Sequence, residues 1–144
     1  MGHIVILLVV VASGMGLSVE AGLLGPLGEE VGHMAATLSI FLVGGLLMSV
    51  ALVFAPKRSL PGLFAQPRWL LIGGILGPVY VIVLTLATPV IGVGTTMVGI
   101  LCGQVAASLA IDHFGLFGTQ RRAMDRYRLG ALVLILLALG ILNR

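Results

Sequence analysis

The sequence is poor in charge: its 144 residues include eight Lys and Arg and five Asp and Glu, 9% in all. A soluble domain cannot be built on so little. A chain of this length still exposes about a third of the surface of its unfolded form. Here 59% of the residues are hydrophobic and the mean hydropathy is +1.20, so the solvent for that surface is lipid. Cysteine is almost absent. Cys102 stands alone in an apolar run, so neither a disulfide nor a thiolate metal site can form within the chain. No Lys or Arg precedes the first apolar run, and that run is too long for the h-region of a signal peptide. The expectation is a retained span, not a cleaved leader.

Long apolar stretches are what the sequence does have. Five are visible, at about 3–24, 34–54, 69–87, 91–111 and 127–142. A hydrocarbon core of ~30 Å takes about 20 residues of helix, which the first four supply. The fifth is shorter and borrows Met124 to Arg128, whose arginines can snorkel to the interface. Closed barrels are the other way to span a bilayer, but their strict alternation is missing. The reading is an all-α membrane protein with five transmembrane helices, one integral domain over 1–144. Its 21 glycines suit close approach of helix backbones.

Punctuation sets the expected boundaries. Gly25-Pro26 and Gly28 close the first span. Pro56, Pro61-Gly62 and Pro67 break the loop before Trp69, which sits where interfacial anchors belong. Thr88-Pro89 makes a very short turn, so spans three and four should form an antiparallel hairpin. Lys57, Arg58, Arg68, Arg121, Arg122, Arg126 and Arg128 fall on one side and Arg144 on the other. Seven against one places the N-terminus in the cytoplasm.

Polar residues inside the spans are few. Glu20 is the one acid well inside a span, and an ionised acid at mid-span costs at least ~2.5 kcal/mol. Ser13 and Gly16 lie on its helical face, making a small, polar surface suited to a cavity wall. The plainer alternative is a hydrated carboxylate near the outer interface. Tyr80 shares a face with Gly73 and Gly77, beside Pro78, where a kink is expected; such helices either line cavities or simply pack.

Span four carries two stripes. One, Thr96, Gly99, Gly103 and Ala107, contains a GxxxG suited to helix packing. The other is Gln104, Ser108 and Asp112, with Asp112 read as a solvated cap or ion pair beside the arginine-rich loop. Gln104 either joins helices or faces solute. The segment "HFGLFGTQRRAMDRYR" mixes aromatics with four arginines and can lie on an anionic leaflet. Topology accounts for the basic residues, so nucleic acid is not an expected partner. His3, His33 and His113 fall at three span ends. No nucleophile with a base, phosphate loop or metal-ligand cluster is recognisable. Neither enzyme function nor a cofactor is expected.

"SIFLVGG" in span two, "WLLIGGILGPVYV" in span three and "GQVAASLAIDHFGLFG" through span four resemble the YdcZ-like family of the drug/metabolite transporter superfamily. The similarity covers nearly the whole chain, and the "GQ…S…IDHFG" block is its most specific part. The resemblance implies a bacterial inner-membrane protein of five helices. It also implies half of a ten-helix transporter, completed by an inverted copy. Family members usually read Gln-Ala and then Asn where this chain has "VEAGLL", so Glu20 replaces the Gln and Leu24 the Asn. In the distantly related small multidrug resistance transporters, a first-helix glutamate binds protons or cationic substrate. The substitution therefore supports proton coupling and weakens any substrate taken over from the family.

The functional expectation is a subunit of a dimeric secondary transporter. Its cargo would be a small organic solute, a cation suiting it best, exchanged for a proton at Glu20. Ser13 and Gly16 would line the site and Tyr80 and Gln104 would orient the solute. The charge bias favours pairing with an oppositely oriented relative over a homodimer. The alternative is a non-transporting structural or regulatory membrane subunit, with Glu20 paired to a partner's cation.

Overall fold

The computed structural model describes residues 2–55, 67–142 and 144. They form α1 (Gly2–Val31), α2 (His33–Phe54), α3 (Gly73–Phe114) and α4 (Arg126–Leu142), with 3₁₀ turns at Arg68–Ile72 and Leu116–Gly118. Pro56, Lys57, Arg58 and Pro61-Gly62 lie outside the described residues, as do the side chains of Arg68 and Trp69. Three segments, Gly2–Val31, His33–Phe54 and Leu70–Phe114, are long and apolar enough to cross a membrane. α4 has 17 residues, about 25 Å of rise, and is not among them.

Two expected boundaries move. α1 does not close at Gly25-Pro26 but runs through Pro26 and Gly28 to Val31. Those two glycines are packing surfaces, as their contacts below show. Spans three and four appear as the single helix α3, which keeps helical dihedral angles through Pro78 and Pro89 and departs from them at Gly92 (φ 80°, ψ 157°). Described residues therefore hold four α-helices where five were expected. The second span agrees with α2 to within a residue.

The apolar surface faces outward. Ile4 through Val11 are all exposed, which water would not tolerate but hydrocarbon does. Two compact units are present, Met1–Val90 and Ile91–Arg144.

In the first unit, the buried side chains gather on the C-terminal half of α1 and its counterpart in α3, among them Ala21, Leu24, Val81, Leu84 and Thr85. A Cβ on Gly25 would stand 3.1 Å from Thr88 Cγ2, and one on Gly28 would stand 3.4 Å from Thr85 Cβ. The helices cross on their smallest residues. Further back along α3, a Cβ at Gly77 would stand 3.3 Å from the Phe41 ring of α2.

These contacts obey an internal correspondence sixty positions apart. α1 ends at Gly32 with φ 87° and ψ 143°, matching Gly92. Both conformations are essentially reserved for glycine. Residues 21, 24, 25 and 28 are buried, and so are 81, 84, 85 and 88. Under this offset Gly25 corresponds to Thr85 and Gly28 to Thr88. The pair Gly25–Thr88 is then the mate of Gly28–Thr85, the reciprocity that a two-fold contact requires.

In the second unit, Gly99 faces Leu139 of α4, 3.9 Å from a Cβ built there. Thr96 is buried and its hydroxyl donates to the Gly92 carbonyl at 2.8 Å. Arg128 Nη1 meets Asp112 Oδ2 at 2.9 Å, the ion pair considered for that residue. Asp125 caps α4, its Oδ1 accepting the backbone N–H groups of Tyr127 and Arg128 at 2.8 and 2.9 Å. Asp125→Ala should lower the unfolding free energy by about 1 kcal/mol, and a thermal melt of the purified chain in detergent would measure it.

Candidate functional site

Glu20 lies on α1 one turn before the crossing, partly buried, with no other acid on that helix before Glu29 and Glu30 at its end. Its side chain borders two hollows, each of about 360 Å³ and open to the surroundings. Ser39, Gly44 and other residues of α2 line the first. The second is walled by α1 itself, from Gly16 to Leu27, and by Ile40. An acid thus stands where two small apolar recesses meet.

Tyr80 is the counterpart of Glu20 under the sixty-residue offset. Each precedes the crossing on its own helix, and Tyr80 lines neither hollow. The tight contacts Gly25–Thr88 and Gly28–Thr85 come one turn further along from both residues.

Among the described residues, three enclosed polar atoms near this crossing have no hydrogen-bond partner: the Tyr80 hydroxyl, Thr88 Oγ1 and His33 Nδ1. His33 follows the Gly32 break, and a Cβ on Gly28 would meet its Nδ1 at 2.8 Å. Pro89 has no N–H to offer the Thr85 carbonyl, which adds an acceptor at the same level. Buried polar atoms without partners cost about 1–3 kcal/mol each. Their concentration at one crossing marks it as a polar patch within an apolar unit.

The other residues singled out in the sequence fall as follows. Gly16 borders the second hollow with Glu20. Ser13 lies outside both linings, and its exposed hydroxyl donates to the Val9 carbonyl at 2.9 Å. Gln104 is exposed and belongs to the second unit, as do Gly99 and Gly103; Gly103 has open space where a Cβ would go. His33 and Thr88 were not candidates from sequence. Val19 and Val79, Leu24 and Leu84, and Gly32 and Gly92 are identical pairs at the sixty-residue offset, a signal too sparse to see without the burial pattern. Among the described residues no cluster of His, Cys, Asp and Glu has the makings of a metal site.

No curated protein and no solved structure matches the chain. Residues 5–141 match the family described as "Putative inner membrane exporter, YdcZ". That description points to a transporter rather than an enzyme, and three helices able to cross a bilayer agree with a multi-pass inner-membrane protein. The chain belongs to this YdcZ exporter family.

Proposed function

We propose that the chain is one subunit of a dimeric secondary transporter of the drug/metabolite transporter type. It moves a small organic cation in exchange for a proton carried by Glu20. The observation that supports this reading is the Glu20 carboxylate itself, partly buried within a long apolar run of α1 and bordering two recesses. An ionised acid in such surroundings calls for a proton or a cation. One carboxylate cannot hold both, so binding the solute displaces the proton. Tyr80 hydrogen-bonds or stacks on the solute, and Gly16 leaves room for it.

The whole chain acts as one membrane domain of five spans, with α4 thinning the bilayer locally to cross it. The sevenfold excess of basic residues on one side favours an oppositely oriented relative as the partner subunit. Gln104, Gly99 and Gly103 are assigned to solute orientation and helix packing in that assembly.

The rival reading, a structural subunit whose Glu20 is sealed against a partner's cation, is separated by labelling. In a Cys102→Ala background, Gly16→Cys should react with a membrane-impermeant thiosulfonate reagent in native vesicles. A small organic cation such as ethylammonium or tetramethylammonium should slow the reaction. An unreactive Gly16→Cys, in a chain that still folds, would leave the structural-subunit reading in place.

A further inference from the structure

The connection between α3 and α4 takes no part in the reading above. It is folded back onto the end of α3. The backbone N–H of Arg122 donates to the Asp112 carbonyl at 2.8 Å. Arg121 Nε donates to the His113 carbonyl at 3.0 Å, and the Met124 N–H donates to His113 Nδ1 at 3.4 Å. The chain turns on three residues of positive φ: Gly115 (64°), Phe117 (57°) and Gly118 (80°). Glycine takes such angles freely, but for phenylalanine they are a true outlier.

Charge in this turn is unevenly matched. Asp112 holds Arg128, and Asp125 Oδ1 is occupied by the N–H groups it caps. Arg121, Arg122 and Arg126 are exposed and have no carboxylate at ion-pair distance among the described residues. Around them, Phe114, Phe117 and Tyr127 are 65%, 69% and 74% exposed. The Arg126 guanidinium lies 5.2 Å from the centre of the Tyr127 ring. The whole turn sits at the end of a helix apolar enough to span a bilayer, and therefore at the depth of the headgroups. Aromatic rings prefer that boundary, and a guanidinium matches a phosphate with two parallel hydrogen bonds.

We infer that the α3–α4 connection is a binding surface for anionic phospholipid. Arg121, Arg122 and Arg126 hold headgroup phosphates, and Phe114 and Phe117 seat among the upper acyl chains. Arg128 is not part of the surface, because its charge is already met by Asp112.

Native mass spectrometry of the full chain, in micelles with equimolar phosphatidylglycerol and phosphatidylcholine, tests this. The expected result is about a tenfold preference for phosphatidylglycerol that fades as salt rises. Arg121→Gln, Arg122→Gln and Arg126→Gln together should bring the two lipids to parity, while Arg144→Gln leaves the preference intact. Millimolar inorganic phosphate should not displace the lipid; displacement would show a free-phosphate site instead. Phe117→Gly relieves the backbone outlier, so this variant should fold at least as well as the parent yet retain less long-chain lipid. Equal retention of both lipids, a preference indifferent to salt, or a triple variant that keeps it would each overturn the inference.

Discussion

Glu20→Gln should abolish proton release when a small organic cation is added to proteoliposomes containing the chain and its partner subunit. The substitution is nearly isosteric, so the crossing should fold as before. What it removes is the negative charge and the proton that neutralises it. A charge-assisted interaction contributes about 1.5–3 kcal/mol, so affinity for a cation should fall roughly tenfold to a hundredfold. A trapped pH-sensitive dye reads the proton, and radiolabelled cation reads the solute. Tyr80→Phe keeps the ring and should weaken uptake while leaving the stoichiometry of exchange unchanged. Uptake by the Gln variant that still responds to a pH gradient would remove Glu20 from the coupling step.

A second large effect is expected at Gly28, where α1 packs tightest. Valine there puts its Cβ 2.8 Å from His33 Nδ1 and 3.4 Å from Thr85 Cβ, and its methyls go further into the same space. Overpacking of this kind costs about 1–3 kcal/mol. It should also spread the crossing one turn beyond Glu20, so stability and exchange fall together. His33→Ala in the same chain removes the nearer obstacle and should restore part of the melting temperature. A double-mutant cycle in detergent measures that coupling. Gly14→Ala is the control: nothing lies within 4 Å of its Cβ position, and an exposed helical alanine is preferred to glycine by up to about 1 kcal/mol. If Gly28→Val melts no lower than Gly14→Ala, the crossing is not the tight contact described here.

The lipid environment was legible in composition, and α2 in the run from Met34 to Phe54. Asp112 as an ion pair followed from the arginines nearby. The end of α1 was not legible, because Gly25-Pro26 and Gly28 were read as stops, the rule for helices in water. A helix in hydrocarbon keeps its backbone bonds wherever it can. There a glycine can mark the place where another helix arrives, as Thr88 does at Gly25. Nor did Thr88-Pro89 hold the break; Gly92 does, because only glycine accepts its dihedral angles. The neighbourhood of Glu20 was half legible. Gly16 followed from helical periodicity and Tyr80 was named from its own span, whereas Thr88 and His33 come from other segments, and one sequence does not report which segments meet.

The exchange of glycine for threonine between corresponding positions has its own consequence for assembly. Corresponding faces of α1 and α3 have nearly the same outline, so two copies of the chain could in principle dock α1 on α1 or α3 on α3. The first mispairing would set Gly25 and Gly28 against themselves and forgo the threonine methyls that fill the present contact. The second would crowd Thr85 and Thr88 into the same volume. Hollow meets bump only when the two different segments come together, so the lock that closes each chain on itself also discourages it from closing on a neighbour.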